Sequence, residues 1–219
     1  MSFELRSGGE GRWTGTPGRR VVVCVNGGTA AEVPGTWSAS VEWLVGRLAR
    51  RLDRLAFLEV RYRTKSWRQF DRCVEDGAAA LAAARETGAE EVALLGFSMG
   101  GAVAVRLCVS ETQGSIPLVA AVNPWLPPQL ELEPLAGRRL AVIHGSLDAP
   151  FPGVPGVKPS MSSAAAERAR ELGADVVRRV LPGGFHAVAL RGRRGRPVAM
   201  PRAAAYADFV GRELERFCA

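Results

Sequence analysis

The sequence predicts an α/β fold: a mostly parallel sheet with helices on both faces. Two observations carry that expectation. Six apolar strand-like runs are interleaved with five helix-like segments along the chain, and a parallel crossover takes about a dozen residues, usually as a helix. The first of these strands, Arg20 to Val25, is apolar on both faces, as a buried parallel strand is. Its 219 residues are 47% hydrophobic and 23% charged, which suits one domain over 1–219 built on one core.

The elements follow in order. Residues 1–19 are Gly-rich and offer an antiparallel edge hairpin, Phe3 to Arg6 against Arg12 to Thr14. Arg20 to Val25 is a strand closed by Asn26-Gly27-Gly28-Thr29. Val41, Leu44, Val45, Leu48 and Leu52 recur at helical spacing. Phe57 to Val60 is a strand, and Asp71 to Ala84 a helix with alanine along one side. Glu91 to Leu95 is a strand that runs into Gly96-Phe97-Ser98-Met99-Gly100-Gly101 and then a helix through Leu107. Ile116 to Val122 is closed by Asn123-Pro124-Trp125, and Leu140 to Ile143 by His144-Gly145-Ser146-Leu147-Asp148. Pro150 to Pro159 is a Pro/Gly loop on the active face. A helix from Ala164 to Leu172, a strand from Val176 to Leu181 closed by Pro182-Gly183-Gly184-Phe185-His186, and a helix from Ala203 to Phe217 complete the chain. The distinctive motifs fall at strand C-termini, where ligands sit in open α/β sheets.

Composition removes several function classes. No apolar run reaches the roughly 18 residues of a membrane helix, and the N-terminus has no signal-peptide core, so the expected location is cytoplasmic, away from membranes. The net charge of +7 raises the question of nucleic acid. Yet only Lys65 and Lys158 are lysines, the other 27 basic residues are scattered arginines, and no basic-aromatic pattern accompanies them. That skew reads as coding bias. The one dense cluster, Arg191, Arg193, Arg194 and Arg196, reads first as a solvated loop and second as an attractor of acidic substrates. Four cysteines make no disulfide framework, and two histidines make no multi-imidazole metal site. Cys24 and Cys108 read as small core residues.

The chemistry lies in Gly96-Phe97-Ser98-Met99-Gly100, a G-x-S-x-G turn between strand and helix. Bulky side chains do not fit beside so tight a turn, and the strain lifts Ser98 Oγ above the sheet edge. The Met99 amide then sits at a helix N-terminus, free to hold an oxyanion. A serine hydroxyl needs a base, and the base an orienting acid. His186 and Asp148 supply them in the order Ser98, Asp148, His186. His144 in that role would reverse the order, so it reads as a structural residue fixing its turn. The second oxyanion donor belongs to the loop after the first parallel strand: the Gly28 amide, with Gly27 and Thr29 as rivals.

On these motifs the chain resembles the α/β-hydrolase superfamily, close to its small lidless esterases and dienelactone-hydrolase-like proteins. The stretches VVVCVNGG, VRYR, GFSMGGAVA, NPWLP, HGSLD and PGGFH run in family order from about residue 20 onward. The resemblance implies Ser98 as nucleophile, His186 as base, Asp148 as acid, and the Met99 and Gly28 amides as oxyanion hole. Asn26 replaces the histidine that many relatives carry before the glycine. Ser98 replaces the cysteine of true dienelactone hydrolases, which argues against that activity.

About seventeen residues separate Val122 from Leu140, so any cap is small and the site is open, suited to small acyl groups. Trp125 and Phe151 are candidate pocket walls, as is the Met99 side chain. Trp37 reads as packing. The function expected is hydrolysis of a small carboxylic ester or thioester through an acyl-enzyme, with no cofactor and no metal. Acyl transfer, amide cleavage and a non-catalytic ligand-binding homologue are the alternatives. Oligomeric state is not legible.

Overall fold

The computed structural model describes residues 2–149 and 156–219. Twelve strands and five helices appear among them. In chain order they are β1 (Ser2–Glu4), β2 (Glu10–Thr14), β3 (Arg20–Val25), β4 (Val33–Pro34), α1 (Ala39–Leu48), β5 (Ala56–Arg61), β6 (Thr64–Lys65) and α2 (Phe70–Glu86). Then follow β7 (Glu91–Phe97), α3 (Gly100–Leu107), β8 (Leu118–Val122), β9 (Arg139–Gly145), α4 (Pro159–Glu171), β10 (Asp175–Leu181), β11 (Ala189–Arg191), β12 (Pro197–Ala199) and α5 (Ala203–Cys218).

Eight strands form the main sheet in the order β1-β2-β5-β3-β7-β8-β9-β10. From β5 to β10 every neighbouring pair is parallel, whereas the β1–β2 hairpin joins the β5 edge antiparallel. Side chains alternate across a strand, so each parallel strand feeds two cores. Val21, Val23 and Val25 of β3 join Leu94, Val119 and Val142 on the face covered by α2, α3 and α4. Val22 and Cys24 join Leu95, Val122 and Ile143 on the face covered by α1 and α5. This two-sided burial is why the inner strands β3, β7 and β8 read as apolar runs, whereas the edge strand β10 carries Arg178 and Arg179.

Local chemistry sets the helix ends. Ser38 caps α1, its Oγ accepting from the Val41 amide. Pro159 opens α4, where its missing N–H costs nothing. Between β8 and β9 the only regular element is a short 3-10 turn, Glu133–Leu135, so no cap rises from that crossover. Two small ribbons have no counterpart in the sequence reading: β4 pairs with β6, and β11 with β12. The second of these carries the arginine cluster: Arg193, Arg194 and Arg196 lie exposed in its turn, as a solvated loop, and only Arg191 belongs to a strand. Arg191 ends β11, and the hairpin packs on α1 through Ser40 Oγ, which takes the Val188 and Ala189 amides and donates to the Ala189 carbonyl.

Candidate active site

Because β7, β9 and β10 are parallel, their C-termini meet at one sheet edge, and Ser98, Asp148 and His186 follow these three ends. Ser98 sits in the left-handed region at φ 56°, the strained turn its motif predicts. The flanking glycines have a steric reason. A Cβ on Gly96 would strike the Gly100 backbone, and one on Gly100 would strike the carbonyls of Val25 and Asn26.

His186 lies within hydrogen-bond reach of both Ser98 and Asp148. His186 Nε2 is 3.0 Å from Ser98 Oγ, and His186 Nδ1 is 2.8 Å from Asp148 Oδ2. The partners assign the tautomer: Nδ1–H donates to the carboxylate, and Nε2 accepts the serine proton. All three residues are buried, yet Ser98 and His186 line an open cavity of about 510 Å³. Such a relay can draw a proton from a hydroxyl as that hydroxyl attacks an electrophilic carbon.

The acid is held from several sides. Asp148 Oδ1 accepts the Val157 amide at 2.7 Å, while Oδ2 accepts from His186 and, at 3.0 Å, from His144 Nε2. His144 thus contacts the carboxylate, and the same Nε2 lies 2.9 Å from the Val157 carbonyl. Its Nδ1 takes the Ser162 hydroxyl at 2.9 Å. Burial acts to raise the Asp148 pKa, but the hydrogen bonds from His144, then His186, and the Val157 amide outweigh it and hold the carboxyl below its ordinary range.

Asn123 is a residue the sequence reading passed over. It adopts φ 46° just beyond β8, and its Nδ2 donates to the carbonyls of Phe185 (2.9 Å) and His186 (2.6 Å). Its Oδ1 accepts the Gly145 amide at 2.8 Å. One side chain therefore ties the histidine loop to the strand end that leads to Asp148. Tyr206 of α5 adds a hydrogen bond to the Phe185 carbonyl at 2.8 Å, and burial pushes its phenol up to about 12. An asparagine before a proline at a strand end, able to take the left-handed conformation, was the available signal.

The remaining site residues fall out differently. The Met99 and Gly28 amides donate to no other described residue, and Gly27 packs closest to Ser98. The Met99 side chain is wholly buried and lines no part of the cavity, its sulfur lying behind Gly28. Trp125 corrects the pocket-wall expectation. Its amide bonds the Ser98 carbonyl at 2.9 Å, but its ring turns away to meet Phe70 edge-on at 6.0 Å, lining a separate surface cleft. The reversal at Asn123 sends the side chain to the far side. Phe151 lies outside the described residues. The walls are instead Phe97, whose ring is 5.3 Å from that of His186, and Trp37, which the sequence reading assigned to packing. Arg12 stacks on the Trp37 ring at 4.4 Å.

The fold has many counterparts among solved structures. A sugar hydrolase, YeeB, from Lactococcus lactis superposes with TM-score 0.73 at 16% identity, covering 100% of this chain and 98% of that one. The protein EstE5 gives TM-score 0.70 at 17% identity, covering 100% and 85%. An α/β serine hydrolase homologue from Coxiella burnetii gives 0.67 at 16%, covering 98% and 96%. No curated protein matches the chain by sequence. The family model described as serine aminopeptidase, S33, matches residues 61–181, a span that holds Ser98 and Asp148 and stops short of His186. With that match over more than half its length, the chain belongs to the serine aminopeptidase S33 family, and it is an α/β-hydrolase enzyme.

Proposed function

We propose that the chain is a serine hydrolase that cleaves small carboxylic esters or thioesters through an acyl-enzyme. The observation that carries this reading is the relay from Asp148 Oδ2 through His186 to Ser98 Oγ, with links of 2.8 Å and 3.0 Å. In the proposed mechanism His186 takes the Ser98 proton as Oγ attacks the carbonyl carbon. Asp148 holds the tautomer and stabilises the imidazolium. The Met99 and Gly28 amides receive the oxyanion, each contributing about 3 kcal/mol to the transition state. His186 returns the proton to the leaving group, then activates water to release the acid. Small substrates fit the open cavity and the capless β8–β9 crossover. EstE5, a structural neighbour, was soaked with p-nitrophenyl butyrate, and that ester is a natural first probe.

The family description suggests peptide amides as a second reading. The cavity speaks against a free amino terminus as the recognised group. Its described lining contains Lys65, Arg191 and His186, and no aspartate or glutamate to receive an ammonium ion. The test is a panel of p-nitrophenyl acetate, butyrate and octanoate beside aminoacyl p-nitroanilides, on wild type and Ser98→Ala. Turnover of the short esters, lost in Ser98→Ala, is expected. Ester turnover that survives Ser98→Ala, or cleavage of the anilides alone, overturns the reading.

A further inference from the structure

The far wall of the cavity holds a cation with no countercharge among the described residues. Lys65 ends β6, and its backbone is tied to the Gly27–Gly28 loop. The Thr29 hydroxyl lies 3.0 Å from the Lys65 carbonyl, and the Trp67 amide donates to the Thr29 carbonyl at 3.0 Å. That anchorage brings the side chain to the cavity entered by Ser98 and His186. Lys65 is half-buried, and burial lowers its pKa. Its Nζ donates to Thr36 Oγ1 at 3.1 Å and has no carboxylate of the described residues within ion-pair distance. An ammonium has three N–H donors, so two remain for a ligand.

We infer that Lys65, with Thr36 beside it, forms a subsite for a carboxylate carried by the substrate, so that the preferred ester is the half-ester of a dicarboxylic acid or an ester of a hydroxy acid. The inference rests on the serine-hydrolase reading and names its substrate class. Three features select the ligand. No acidic side chain lines the cavity among the described residues, so an anion meets no repulsion there. The other cation, Arg191, is already engaged: Nη1 donates to Glu42 Oε2 (3.0 Å) and the Gly195 carbonyl (2.8 Å), and Nη2 to the Trp37 carbonyl (2.8 Å). Without a free guanidinium fork the site lacks the bidentate grip that suits a phosphate dianion, whereas one ammonium and one hydroxyl match a carboxylate monoanion. The structure also moves the attraction for acidic substrates away from the arginine cluster, whose Arg193, Arg194 and Arg196 are exposed on the β11–β12 hairpin.

The experiment compares matched esters. Mono-4-nitrophenyl adipate against 4-nitrophenyl hexanoate places the charge on the acyl side; 4-carboxyphenyl butyrate against its methyl ester places it on the alcohol side. The readout is the anionic-to-neutral ratio of kcat/KM in wild type, Lys65→Met, Lys65→Arg and Lys158→Met. Lys65→Met is expected to lower the ratio about tenfold in at least one pair. Lys65→Arg should restore most of it, Lys158→Met should leave it alone, and added salt should depress it in wild type. Should Lys65→Met not fold, Thr36→Val at an exposed position replaces it, with an expected fall of about threefold. A ratio that ignores Lys65 in both pairs, or an equal fall in Lys158→Met, overturns the subsite. If neutral esters are then still cleaved and Ser98 still reacts with a fluorophosphonate, the hydrolase reading stands without it. If neither happens, both fall.

Discussion

The two ends of the cavity are built on different principles. At the inner end, Ser98, His186, Asp148, His144 and Asn123 are buried, sit just beyond or at the ends of parallel strands, and bond one another and the backbone. At the outer end, Thr36, Trp37, Lys65 and Arg191 hang on a two-residue ribbon, a loop and a hairpin, all at least partly exposed. Rigid strand ends give the precision that proton transfer and nucleophilic attack require. Short ribbons change without disturbing the core, so substrate choice is free to vary there. The contrast predicts that inner substitutions act on kcat and outer ones on KM and selectivity.

The largest expected effect is at the relay itself. Ser98→Ala or His186→Ala should lower kcat on p-nitrophenyl butyrate by about 10⁴-fold or more, with far-UV circular dichroism retained. Next comes Asn123→Ala, which removes donors from two loop carbonyls and an acceptor from the Gly145 amide. It should lower kcat by about 10- to 100-fold and unfolding free energy by about 1–3 kcal/mol in urea melts, while KM moves little. A KM change alone would place Asn123 with the outer wall and break the division. His144→Leu takes one donor from Asp148 and should lower kcat about tenfold, by the same logic. At the outer end, Trp37→Ala should raise KM several-fold with kcat within about twofold.

The smallest effect is in the acid limb of stability. The Asp148 carboxyl is held below its ordinary range, so its native pKa lies under its unfolded one. Its contribution is complete above the unfolded value of about 3.9 and is lost as pH falls through the depressed native value. In melts from about pH 6 down to about pH 3, the stability gap between wild type and Asp148→Asn should narrow toward the acid end. A gap that widens would reverse the sign.

The same division marks what the sequence could tell. The inner parallel strands were legible because burial on both faces leaves apolar runs; Ser98 and Asp148 follow such runs in short motifs, and His186 follows the half-exposed edge strand β10 in another. Asn123 was hidden because its partners are main-chain carbonyls 62 and 63 positions away, a relation that leaves no local pattern. Trp125 was misplaced for a related reason: a strand end fixes where the backbone goes, and the left-handed Asn123 decides where the next side chains point. Trp37 and Lys65 escaped because β4 and β6 are two residues each, too short for any periodicity.

The most direct test of the central claim is peptide mapping by mass spectrometry after brief exposure to a fluorophosphonate. The account predicts a single adduct on the peptide that carries Ser98 in wild type, formed far more slowly in His186→Ala. An adduct on another residue, or one that forms on Ser98 at an undiminished rate without His186, would contradict it.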